Sequence, residues 1–347
     1  MWPRSKPLTH VTLSDVIAGM GTSVSSPPRI TEPGIYSLPE LEYHADPVAA
    51  APSLSRSIAK VIIEASPAHA YAQHPRLGGS PPTGPAHGDD DMDIGTAAHA
   101  AFLEGDHKIE LIPVDSYSKN SPTMKVSEAK ELRDAALAAG RIPLKKRQYA
   151  ATMNVIDALE EFRNKTGFFT KGRPEQTLIW HEQDKDGDHW ARARVDWLPD
   201  DRAAPLVDLK TTGGLATVSG WGRTCFQFGA DMQASMYPRG CEFLRGECPD
   251  DMLFVVCETS PPYAIRVFGL DPVAIEVGAA KCRAARAVWT QCMKLQRWPG
   301  YPLHPEWILP PPWVVSQWEQ TRLGGIGRAT EDTAFIEKMI RLGSWGG

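Results

Sequence analysis

From residue 53 onward the apolar positions recur at regular intervals, and the interval changes along the chain. Over residues 53–74, Ile58, Val61 and Ile62 fall at helical spacing behind Ser53 and Ser55 as candidate caps. Ser66-Pro67 interrupts the run, and residues 68–73 resume it as a further turn. A Gly- and Pro-rich loop over 77–91 ends in an acidic run, after which 94–103 returns to helix-compatible residues. Residues 115–123 are polar and read as a loop. Two more helices are predicted over 127–139 and 148–165, the second with Met153, Ile156, Leu159 and Phe162 along one side. At Glu175 the character changes. Residues 177–181 and 190–198 read as strands joined by Asp184-Lys-Asp-Gly187-Asp, a hairpin signal, and 206–210 reads as a third strand. An irregular crossing over 211–222, a helix over 227–244 and strands over 252–258 and 264–268 follow. Asp271-Pro272 then opens a helix expected to reach about residue 296, since Asp can cap and Pro suits the first turn.

Helices, a three-stranded meander, then helix, strands and helix predict an α/β (α+β) domain around one central mixed sheet. Residues 1–52 read as an N-terminal arm, partly flexible. Residues 53–298 read as the domain, and 299–347 as a Pro/Trp-rich C-terminal extension. No internal repeat is visible.

A hydrophobic content of 42% and a charged content of 23% are those of an ordinary globular chain. No apolar run approaches the ~18–20 residues needed to span a bilayer. The first twenty residues lack the unbroken apolar core of a secretory signal, so a cytoplasmic location is expected. A net charge of −5 is not the footprint of a protein that coats nucleic acid, yet positive potential can be confined to one groove. None of the six cysteines forms a C-x-x-C pair, so buried free thiols are expected rather than a zinc ribbon.

The strand-like segments carry the chemistry. Arg192-Ala-Arg194-Val-Asp196-Trp-Leu is followed by Val207-Asp208-Leu209-Lys210. Residues two apart on a strand share a side, so Asp208 and Lys210 face one site while Leu209 faces the core. Asp196 and Asp208 supply carboxylates of the kind Mg²⁺ prefers, and the Leu209 carbonyl is a candidate third ligand. Such an ion can activate water and hold a phosphodiester. Lys210 is placed to touch that water or the phosphate, and a neighbouring cation would lower its pKa toward the range useful for proton transfer. A plain surface ion pair is the alternative for Asp208 and Lys210. His99, in Asp93-Ile-Gly95-Thr96-Ala-Ala-His99, is a further candidate ligand that suits Mn²⁺ as well as Mg²⁺, or else a histidine bonded within a packed helix. Gln233 and Tyr237 lie one helical turn apart, facing either a DNA backbone and Lys210 or plain solvent.

In order, these pieces resemble the PD-(D/E)XK nuclease superfamily, and within it the RecE-like exonucleases of phages and prophages. The resemblance runs through Ser55, Ser57 and Lys60 with Ser66-Pro67, then Gly95, Thr96 and His99. It continues through Arg194 and Asp196, Asp208 to Thr212, and Gln233 with Tyr237, covering about residues 53–245. It implies a central mixed sheet flanked by helices. It implies His99, Asp196 and Asp208 as metal ligands, Lys210 as the catalytic lysine, and Gln233 and Tyr237 in support. Glu175, just before the first strand, matches an acidic position found in relatives. The implied activity is Mg²⁺-dependent degradation of linear double-stranded DNA from 5′ ends, by a ring-like homo-oligomer working with a single-strand annealing protein. Related nucleases that hold an iron–sulfur cluster use a cysteine ahead of the histidine motif. No cysteine here precedes Cys225, so no iron–sulfur cluster is expected. The chain also lacks a G-x-x-x-x-G-K-[ST] loop, which points to a nuclease without its own helicase. An endonuclease of the same fold, a non-catalytic DNA-binding or scaffold protein, and an enzyme acting on RNA or another phosphate ester remain as alternatives.

Overall fold

The computed structural model describes residues 30–79, 90–117, 124–184, 187–249, 251–323, 337 and 341. The chain divides into two compact units, Met1–Gly300 and Tyr301–Gly347. The strands of the first are β1 (Gly34–Ser37), β2 (Leu54–Ser55), β3 (Ile109–Ile112), β4 (Ile142–Lys145), β5 (Gly172–Asp184), β6 (Gly187–Pro199), β7 (Leu206–Thr212), β8 (Met252–Glu258) and β9 (Ile265–Phe268). Its helices are α1 (Glu40–His44), α2 (Arg56–Glu64), α3 (Pro67–Gln73), α4 (Asp90–Glu104), α5 (Val126–Ala138), α6 (Lys146–Thr166), α7 (Val218–Gln227), α8 (Ala230–Arg245) and α9 (Pro272–Leu295). In the second unit α10 (Pro312–Leu323) follows an irregular stretch in which Leu303, Trp307, Ile308 and Leu309 are exposed.

A seven-stranded mixed sheet runs β1-β5-β6-β7-β8-β9, with β2 added parallel to β6. β7 and β8 are parallel neighbours joined through α7 and α8, as a parallel pair requires. Alternation along the central strand β8 decides what covers each face. Phe254 and Val256 point into a core shared with Ile58, Met232, Ala285 and Trp289, on α2, α8 and α9. Val255 and Cys257 point into a second core built from Ala97, Phe102, Val155 and Leu159, on α4 and α6. The expected central mixed sheet flanked by helices is therefore present. A separate parallel pair, β3 with β4, lies outside it.

Several local expectations change. β1, which pairs antiparallel with β5, comes from residues ahead of the point where the sequence reading starts the domain. α4 begins at Asp90, inside the stretch read as an acidic loop. α7 occupies part of the expected irregular crossing: Thr217 caps it by accepting from the Gly220 N–H, and Trp221 and Cys225 anchor its buried side. The helix expected over 227–244 instead starts at Ala230, because Gly229 turns the chain with φ 73°. Cys225, Cys241, Cys257, Cys282 and Cys292 are buried free thiols, while Cys248 is exposed.

α8, which carries Gln233 and Tyr237, is fixed from behind by α9. A Cβ on Gly278 would lie 2.1 Å from the carbonyl oxygen of Asp231, so only glycine permits this approach. Asp231 is also bound by Lys281 at 2.6 Å. Gly278→Ala is expected to destabilise the protein by about 1–3 kcal/mol, the usual cost of overpacking. A urea midpoint equal to the parent's would show that the two helices have room to separate.

A buried polar network ties the strand-entry loop to β6. Asp46 accepts from the Ser53 N–H at 2.9 Å and hydroxyl at 2.6 Å, and lies 3.3 Å from Arg192. His74 Nε2–H donates to the Ser53 carbonyl at 3.1 Å, while Nδ1 accepts from the Arg76 N–H at 3.2 Å. That arrangement requires a neutral ring. Burial, with Arg192 adding to it, lowers the His74 pKa to about 4. Between this value and the unfolded value of ~6.5 the unfolded chain binds the extra proton, so stability falls as pH drops through that window. The loss is expected to reach about 3 kcal/mol near pH 4, read as the difference in urea stability between wild type and His74→Gln across the window. Parallel pH profiles for the two proteins would exclude His74 as the source.

Candidate active site

The site forms where β5, β6 and β7 meet beneath α4. Pro174 pairs with Trp197 and Gln176 with Val195, so Glu175 sits across the ladder from Asp196. Glu175 has φ 54°, a left-handed conformation that costs a non-glycine residue on the order of 1–3 kcal/mol. Strain of this kind persists where surrounding structure imposes it, and at sites of function. β6 meets β7 at Trp197 and Val207, which puts Asp196 and Asp208 on neighbouring strands at their junction. The Asp196 carboxylate spans the gap and accepts from the Leu209 N–H at 2.8 Å.

α4 comes close to the sheet because Gly95 has no side chain; a Cβ there would lie 2.3 Å from Thr211 Oγ1. One turn later His99 stands over the carboxylates. Its Nε2 is 3.0 Å from Asp196 Oδ2 and its Nδ1 is 3.6 Å from Glu175 Oε1. Arg194 forms an ion pair with the other oxygen of Glu175 and donates to the Leu38 carbonyl at 2.6 Å. Asp208 is fully buried. Lys210 pairs with one of its oxygens, and Gln233 on α8 donates to the other at 2.5 Å.

The charges are strongly interdependent. Burial opposes a charged His99, but the Asp196 carboxylate outweighs it, with Glu175 adding, and raises its pKa to about 9. Burial also opposes a charged Asp196, yet the His99 and Lys210 cations hold that carboxyl well below the usual range. Glu175 is pushed up by burial and then by the charge of Asp196, against the pull of His99 and Arg194. Burial and Asp196 likewise push Asp208 up to about 6. For Lys210 the protein's own groups act in the opposite sense to the neighbouring cation expected to lower its pKa. Burial works against its charge, but Asp208 and Asp196 prevail and raise its pKa, because its closest charged neighbours in the protein are anions. Burial raises the Tyr237 phenol far above its ordinary value.

His99, Glu175 and Asp196 offer one ligand atom each, all within 4.8 Å of one another. A ring nitrogen and two carboxylates, whose mutual repulsion already draws a proton onto His99, suit Mg²⁺ or Mn²⁺. Of the four metal ligands expected from sequence, His99 and Asp196 are in this trio. Asp208 lies beside it, bound to Lys210 and Gln233. Leu209 presents its N–H to Asp196, and its side chain is buried in the second core. Gln233 reaches the site through Asp208, while Tyr237 is buried one turn further along α8. Glu175, whose sequence signal is only an acidic residue ahead of a strand, completes the trio. Arg194 had a signal in its alternation with Asp196 along β6.

The family model described as a PDDEXK-like domain of unknown function (DUF3799) matches residues 55–306. Among solved structures, a protein described as a “Putative exonuclease” from Eubacterium rectale is similar at 13% identity and a TM-score of 0.46, over 79% of this chain and 92% of that one. A second, SSO0001, is similar at 15% identity and a TM-score of 0.24, over 50% of this chain and 70% of that one. No curated protein matches the chain by sequence. With a family match that spans most of its length, and Asp196, Asp208 and Lys210 at the junction of two sheet strands, the chain belongs to the PDDEXK-like family DUF3799, within the PD-(D/E)XK nuclease superfamily.

Proposed function

We propose that this protein is a metal-dependent exodeoxyribonuclease that degrades linear double-stranded DNA from its ends, 5′ to 3′, and leaves single strands for recombination by annealing. The observation that carries the nuclease reading is the convergence of His99, Glu175 and Asp196 beside the Asp208–Lys210 pair. His99, Glu175 and Asp196 would hold the divalent ion, which when bound supplies positive charge to the scissile phosphate and acidifies water. Lys210 then bonds the attacking water or a phosphate oxygen, and its position is set by Asp208. Gln233 keeps Asp208 turned toward Lys210, and buried Tyr237 helps exclude water from that side of α8.

End-dependence, polarity and the annealing role extend the resemblance to RecE-like exonucleases, as do a homo-oligomer and a single-strand annealing protein as partner. Among the described residues no helix is long and apolar enough to cross a membrane. The deciding experiment compares end-labelled linear duplex with covalently closed circles in Mg²⁺. Loss of the linear form alone supports an exonuclease, and the end label reports its direction. Cutting of both forms would make it an endonuclease of the same fold. If neither is cut in Mg²⁺ or Mn²⁺, the DNase reading fails, and a binding protein or an RNA substrate takes its place.

A further inference from the structure

Arg56, the first residue of α2, carries a charge that no carboxylate among the described residues balances. Lys60, one turn along the same helix, is paired with Glu64. Arg56 Nη1 donates to the carbonyl of Phe228 at 2.7 Å, and its Nε is buried without an acceptor. This bond places the guanidinium at the corner where α8 begins. A Cβ on Gly229 would lie 3.8 Å from Arg56 Nη1, and the Gln233 N–H bonds the Gly229 carbonyl at 3.0 Å. The Gln233 side chain in turn holds Asp208, so Arg56 is linked to the Asp208–Lys210 pair through the first turn of α8. β2 runs parallel to β6 with Ser55 opposite Arg192, so the chain enters α2 heading the way β6 runs toward Asp196.

Arg56 is only half-buried, so part of its guanidinium is open to an anion from solvent. A phosphodiester supplies both the negative charge and the acceptor oxygens, in the geometry a guanidinium fits best. We infer that Arg56 binds a backbone phosphate of the DNA strand in the active site, at a position flanking the one that is cut. This rests on the nuclease reading and names a contact within it.

The test measures binding of fluorescent linear duplex by anisotropy, over a range of salt, with Ca²⁺ in place of Mg²⁺. Wild type, Arg56→Ala and Arg56→Lys are compared. Arg56→Ala is expected to weaken binding about tenfold and to flatten the log–log salt slope by about one. Arg56→Lys keeps the slope, because the charge remains, but recovers only part of the affinity. In Mg²⁺, Arg56→Ala raises KM more than it lowers kcat, as loss of uniform binding requires. If Arg56 only pins the Phe228 corner, Arg56→Ala lowers the melting temperature and kcat and leaves the salt slope alone, which overturns the contact. A wild-type protein that binds no DNA overturns both the contact and the nuclease reading.

Discussion

Lys210→Ala is expected to slow DNA cleavage by about 10²–10⁴-fold, the range for losing a positioned proton-transfer or charge-stabilising group. Affinity for linear duplex should change by less than about tenfold, because other contacts to the backbone remain. Lys210 pairs with the fully buried Asp208, so the truncation has a second effect. Burial and Asp196 already push the Asp208 carboxyl up to about 6. Removing the ammonium takes away the nearest charge that favours its ionised form, so Asp208 takes up a proton near neutrality. Lost cleavage therefore has to be separated from lost stability. Lys210→Gln removes the charge but can still donate to Asp208, so it should melt closer to wild type than Lys210→Ala while cleaving as poorly. Single-turnover rates and melting curves for the two variants make the distinction. Cleavage at the wild-type rate by either variant would sink the assignment of Lys210.

The parts of this site legible in the sequence are those set by local pattern. Alternation along residues 190–198 and 206–210 marks β6 and β7, and it places Asp208 and Lys210 opposite the core-facing Val207 and Leu209. Gly95 and the small residues around His99 mark a helix able to approach the sheet, and the structure brings that helix onto Thr211. The unread parts depend on long-range register. Glu175 is marked in the sequence only by its likeness to an acidic position in relatives; it reaches the site because it lies across from Asp196 with φ 54°, and neither of those facts has a signature within a few residues of position 175. β1 is four residues long and is fixed by partners about 140 positions away, too short and too distant for periodicity to reveal. α7 was hidden by Gly220 and Gly222, which lower helix propensity, although its capping Thr217 and buried Trp221 are enough to form it. The raised Lys210 pKa is likewise a matter of register, since the two carboxylates that surround it, Asp208 and Asp196, come from neighbouring strands.

Glu175→Gln should change metal affinity and stability in opposite directions. Glutamine keeps the size of the side chain but offers a neutral amide in place of a charged ligand. Affinity for Mn²⁺ is therefore expected to fall by at least about tenfold, and Mg²⁺-dependent cleavage with it. In metal-free buffer the variant should melt above wild type. Burial and the charge of Asp196 raise the pKa of Glu175 despite its pairing with Arg194, so the folded protein holds the ionised form at a cost. For a carboxyl raised in the folded state, stability is full below the unfolded pKa of ~4.3 and declines as pH rises toward the folded value. The variant's advantage should accordingly be absent near pH 4 and grow toward neutrality. Saturating metal reverses the ranking, because a ligand that binds only the folded state stabilises the protein with the higher affinity more. Melting curves with and without Mn²⁺ at neutral pH would thus exchange order between wild type and Glu175→Gln. If Glu175 serves only to anchor Arg194, the variant melts lower in both conditions and binds Mn²⁺ as wild type does. An exchange of order needs a group whose charge burdens the empty fold and is matched by a bound cation, and that burden is what separates a metal ligand from a structural ion pair.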